Sequence, residues 1–183
     1  NNIVNQAQGA AVFGSGHDVD TDGQESLVGG TGHIVEANYA LATGNGNTVQ
    51  GQSSVAFGDG NQVTGTSSIV SGDSSSVGGD YSFGIGENLT VNAESSISSG
   101  SGNTVSGDYS IAVGENILID ASAALSIAIG QDHQLDSGFN AVFGNSNTVA
   151  TGSENIVSGA SHNVTGAQSA VFGSLNVVSS TSG

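Results

Sequence analysis

Glycine recurs along this chain at a nearly fixed interval, and that interval narrows the possible folds more than any other feature. Five-residue runs ending in Gly stand at residues 10–14 (AAVFG), 54–58 (SVAFG), 110–114 (SIAVG), 126–130 (SIAIG) and 169–173 (SAVFG). Weaker copies fill the gaps, so that the anchors are Gly14, Gly30, Gly44, Gly58, Gly72, Gly86, Gly100, Gly114, Gly130, Gly144, Gly159 and Gly173. Most successive anchors stand fourteen apart; the steps that end at Gly30 and Gly130 are longer by two, and the step that ends at Gly159 is longer by one. A register set on glycine alone also orders other residues. Five positions after each anchor stand Val19, Val35, Val49, Val63, Val77, Val91, Val105, Ile119, Leu135, Val149, Val164 and Val178. An aliphatic residue in every repeat marks a column that faces a core.

Each repeat holds an SxAxG-like run of alternating small and larger side chains and a second run centred on the Val column, linked by Gly, Asn, Asp and Ser. Short strands separated by turn formers predict one coil of a parallel β-solenoid per repeat, each strand pairing with its equivalent in the next coil. Gly and Ser are too dense for a helix, and no 3.6-residue apolar stripe crosses a repeat. The expectation is an all-β solenoid of about 12 coils, one repeat domain over residues 1–183, forming a rod about 55 Å long at roughly 4.8 Å per coil. One such coil encloses only two or three side chains, which makes a lone stack marginal. The small Ser, Ala and Gly of the SxAxG run are expected to let several rods pack side by side, as an oligomer.

Composition excludes several partners. The chain has no Lys or Arg, 16 Asp and Glu, and a net charge of −16, which repels phosphate backbones and anionic lipid surfaces. Nucleic acid is therefore not an expected partner, and this segment is not expected to enter a membrane. Without Cys there is no disulfide or thiolate chemistry. A start at Asn1, with neither a leader-like segment nor an 18-residue apolar run, reads as a piece of a longer protein without signal peptide, stalk or membrane anchor in this stretch.

The runs SVAFG, SIAVG and SIAIG, recurring in step with the anchors, resemble the head domain of trimeric autotransporter adhesins, the YadA-like family, over essentially the whole chain. The resemblance implies a left-handed parallel β-roll assembled as a homotrimer. It also implies display on the outer surface of Gram-negative bacteria, anchored through other parts of the protein, and attachment to host matrix proteins, cells or abiotic surfaces. Collagen-binding members carry Asn ahead of the Ser, where this chain has Ser53, Tyr109 and Leu125.

Three columns could carry chemistry. His17, His33, His133 and His162 all lie three positions after an anchor, where Asn47, Asn61, Asn103, Asn147 and Asn176 also stand. They form either a polar ladder or, in a trimer, a ring of imidazoles that charges below about pH 6.5. Immediately before the SxAxG run lie Tyr39, Tyr81, Tyr109 and Phe139, together with Leu125. This column is a candidate ligand-contact stripe, since Tyr offers rigid area with a polar tip, or else covers the corner of the roll or a neighbouring chain. Asp59, Asp73 and Glu87, and likewise Asp80, Glu94 and Asp108, form acidic ladders that are solvated or hold a cation between them. No acid falls in an SxAxG run or the Val column, so the acids are expected to coat the outside.

No enzymatic motif such as GxSxG or HExxH is present, and Lys, Arg and Cys are missing as nucleophile or clamp. Catalysis, a cofactor and a metal are not expected. Two other readings share the repeat: an ice-binding β-solenoid, for which Thr48, Thr90, Thr104 and Thr148 form a row interrupted by Gln62, Ser76 and Leu118, and a ligand-free spacer of a surface fibre.

Overall fold

The computed structural model describes residues 1–5, 7–20 and 23–179, which form an all-β parallel solenoid of about 12 turns without a helix among the described residues. The coils fall into two compact units, Asn1–Thr90 and Val91–Gly183. In the first, five-residue strands Ala11–Ser15, Leu27–Thr31, Leu41–Asn45, Val55–Asp59, Ile69–Asp73 and Phe83–Glu87 pair in chain order, every strand parallel to the next. Two-residue strands such as Thr48–Val49, Gln62–Val63 and Ser76–Val77 stack the same way on the opposite wall. The second unit repeats the plan with Ile97–Ser101, Ile111–Glu115, Ile127–Gln131, Ala141–Asn145, Ile156–Ala160 and Ala170–Ser174 facing short strands such as Leu118–Ile119 and Thr148–Val149.

Pairing is strictly between equivalents: Gly58 meets Gly44 and Gly72, and Val63 meets Val49 and Val77. The anchor column is glycine for two reasons. All twelve anchors have φ between +106° and +142°, a region that side-chain-bearing residues avoid. A Cβ on Gly58 would also lie 1.9 Å from the carbonyl oxygen of Gly72 in the next coil. The second run pairs over only two residues, as in Gln62–Val63 and Ser76–Val77, before the chain turns. There Gly65 packs so closely that a Cβ would meet the Gly79 oxygen at 2.1 Å.

The core is one residue thick on each wall. Val49, Val63 and Val77 are 0% exposed and face Ala42, Ala56 and Val70 of the long strands. In the second unit Val105, Ile119, Leu135 and Val149 face Ala112, Ala128 and Val142 in the same way. The small side chains of the SxAxG run thus fill the interior of their own coil, and the expectation that they pack against a neighbouring rod is corrected. A coil this thin accommodates Val opposite Ala but not Val opposite Phe. Phe57 consequently points outward, with Val55 on the same face, while Val70 and Val142 still fit inside.

Candidate binding surfaces

Two rows of buried polar side chains close the coil at its ends. In the first unit the His33 backbone N–H donates to Nδ1 of His17 (3.2 Å), that of Asn47 to Nδ1 of His33 (3.0 Å), and that of Asn61 to Oδ1 of Asn47 (2.9 Å). In the second unit Asn103 accepts from the Ile117 N–H, and His133, Asn147, His162 and Asn176 continue the pattern with bonds of 3.0–3.2 Å. Because each imidazole Nδ1 accepts, the ring proton is on Nε2, which donates to the carbonyl four residues back: Phe13 for His17 and Gly29 for His33, both at 3.0 Å. Asn performs the same task with two donors, Asn61 Nδ2 reaching the Phe57 and Gly72 oxygens at 2.9 and 2.8 Å.

The four imidazoles are 0–1% exposed within the chain itself, so they present no edge to a neighbouring subunit and the trimer-ring reading is corrected. Burial lowers the His33 imidazole below its ordinary value, helped by the neighbouring His17, whose ring stacks on it at 5.1 Å. Burial also lowers His133, against the carbonyls of Ile129 and Gly144 and the charge of Asp132. The second row is serine: Ser68 Oγ donates to the Gly79 oxygen at 2.8 Å and accepts from the Ser82 N–H at 3.0 Å.

The Tyr column occupies a tight corner. Tyr39, Tyr81, Tyr109, Leu125 and Phe139 all have φ between +56° and +59°, and each is 50–63% exposed. A bulky L-residue in this left-handed region costs roughly 1–2 kcal/mol, which Gly or Asn would largely avoid. The structure does not bring all five together. Ser53 and Ser67 occupy the corners between Tyr39 and Tyr81. In the second unit, by contrast, Tyr109, Leu125 and Phe139 are successive corners, tied by the Leu125 N–H to the Asp108 oxygen (2.8 Å) and the Phe139 N–H to the Ala124 oxygen (3.0 Å). Leu125 and Phe139, with Ile127, Ala141, Glu154 and Ile156, line a groove of about 340 Å³.

Acids decorate the surface; of those described, only Asp136 is half-buried and the rest are exposed. Asp59 and Asp73 are paired in register and accept from neutral donors, Asn45 Nδ2 (2.8 Å) and Ser74 Oγ (3.1 Å). Asp80 and Asp108 accept from the backbone N–H groups of Thr66 and Glu94, at 2.7 and 2.8 Å.

Reading the sequence by column missed the outward face of the long strands. In the first unit it exposes Phe13, Leu27, Phe57, Ile69 and Ile85; in the second Ile97, Val113, Ile127, Ile129, Phe143, Ile156 and Phe172, with Phe13 and Phe172 65% exposed. Side-chain volume gives only part of the signal: Val28, Val70, Val142 and Val157 stand inside where other runs place Ala, while the Phe and Ile of the runs stay outside. Comparison with known proteins finds no matching family model, curated protein or solved structure.

Proposed function

We propose that this chain is the homotrimeric head of a bacterial surface adhesin, a left-handed parallel β-roll of the YadA-like type. On this reading it is displayed outside the cell and binds host matrix proteins, cells or abiotic surfaces without catalysis. One observation carries the reading: the apolar outward face of the long strands. Contiguous exposed apolar patches of this kind mark interaction surfaces, and burying one between identical chains stabilises a thin coil that its own core leaves marginal. The run sequences SVAFG, SIAVG and SIAIG support the same assembly, since their Val, Ile and Phe supply that face. An ice-binding role is less well supported. Thr48, Thr104 and Thr148 pair in register with Gln62, Leu118 and Asn163, so no regular Thr lattice forms along that wall.

The test is attachment. Beads coated with the chain are expected to be retained on immobilised matrix proteins or cultured cells and released by the soluble chain as competitor. An assembled trimer that adheres to none of these surfaces supports the spacer reading in its place.

A further inference from the structure

The stripe of Tyr109, Leu125 and Phe139 places large apolar residues at corners whose backbone is set by the hydrogen-bonded turn and not by the side chain. Each residue holds a left-handed φ of +57° to +59° and leaves half or more of its side chain in solvent. Other corners of the same unit carry Ser95, Glu154 and Gln168 at the same kind of φ, so the turn itself does not need a large apolar residue. A residue type that strains the backbone and still stays half or more exposed is accounted for by something outside the chain that it touches.

The surroundings specify that partner's chemistry. At one end Asp108 directly precedes Tyr109 and the Glu94 carbonyl accepts the Tyr109 N–H, at the other Glu154 lines the groove beside Phe139, and the chain contains no Lys or Arg to neutralise them. A second copy, also at −16, would bring like charge to the same rim. Aromatic faces bordered by carboxylates fit a guanidinium or ammonium group, by cation–π contact with the rings and ion pairing with the acids. Three corners at roughly 4.8 Å spacing match about three residues of extended peptide. We propose that this stripe docks an extended, Arg- or Lys-bearing polypeptide segment of a partner protein. The proposal rests on the adhesive reading only in taking the chain to have a protein partner; it does not depend on the trimer.

The full chain is titrated by fluorescence anisotropy with a labelled twelve-residue peptide alternating arginine and alanine, and with its glutamate counterpart as control. Binding of the arginine peptide alone is expected. The variant Tyr109→Asn, Leu125→Asn, Phe139→Asn keeps every carboxylate and relaxes the corners. It is expected to bind at least about tenfold more weakly, with unchanged sedimentation mass and a melting temperature no lower. A second variant, Glu94→Gln, Asp108→Asn, Glu154→Gln, keeps the rings and the Asp108 acceptor and is expected to lose about tenfold and flatten the salt dependence. The proposal is overturned by no binding to the unaltered chain. Equal binding to the asparagine variant, which would reduce the effect to net charge, overturns it too, as does a fall in that variant's mass, which would make the stripe a contact between copies. Adhesion without peptide binding sinks the stripe alone, while peptide binding without adhesion sinks only the adhesin reading.

Discussion

His33 and Asn47 occupy the same place in successive coils and make the same bonds, an acceptor for the next backbone N–H and a donor to the carbonyl four residues back. They differ in what acid does to them. A proton added at Nδ1 of His33 would turn the acceptor for the Asn47 N–H into a second donor, and burial holds both His33 and His133 below their ordinary value of 6.5. Below about pH 6.5 the unfolded chain therefore binds protons on these rings that the folded chain refuses. Their contribution to stability is complete above pH 6.5 and is lost as pH falls through the lowered values. A melting temperature that drops between pH 7 and pH 5 is expected, and His33→Asn with His133→Asn should flatten that dependence while holding the pH 7 value nearly constant. An unchanged slope in the double variant would place the acid sensitivity elsewhere. Among the described residues, one breaks the rule that buried side-chain polar atoms are paired: Ser98 Oγ has no hydrogen-bond partner, in a row where Ala112 and Ala128 stand. Ser98→Ala is expected to stabilise the fold by about 1 kcal/mol in denaturant titration, and destabilisation would reveal a bonded hydroxyl.

Each coil is a two-walled element whose long wall admits interior residues no larger than Val, and this explains what could be read in advance. The anchor glycines and the Val column were legible because backbone stacking and core burial each tolerate few residue types, as at Gly58 and Val63. The direction of the SxAxG run was not, since alternation specifies two faces without saying which is inside. The corners were legible as a column but not as strained, because Tyr109 at φ +57° looks like any other tyrosine in a sequence. Two glycines separate stacking from mere occurrence. Gly58→Ala drives a Cβ into the Gly72 oxygen at positive φ and is expected to cost at least about 3 kcal/mol. Gly29→Ala meets nothing within 4 Å, and is expected to change stability by no more than about 0.5 kcal/mol. Equal effects at the two sites would contradict the stacked register. On the outward face, Phe57→Ser and Ile129→Ser remove no side chain from the coil interior. They are expected to leave the β-sheet circular dichroism intact while lowering the sedimentation mass of the assembly.

At the scale of the whole molecule, the balance is between charge and apolar surface. Sixteen acidic side chains with no Lys or Arg make copies repel, while rows such as Ile127, Ile129 and Phe143 gain roughly 25 cal/mol for every Å² of apolar surface that a neighbour covers. Added salt screens the repulsion between exposed acids and leaves the apolar term in place, so the oligomer should tighten as ionic strength rises. Sedimentation equilibrium on this chain at physiological salt decides whether the outward face joins copies. One chain has a mass of 17.8 kDa, and a trimer sediments at three times that value. A single species at the threefold mass that dissociates on Ile129→Ser is the expected result. A stable species at the mass of one chain, with a cooperative β-type melt, would show that the outward face needs no second copy, and would contradict the account.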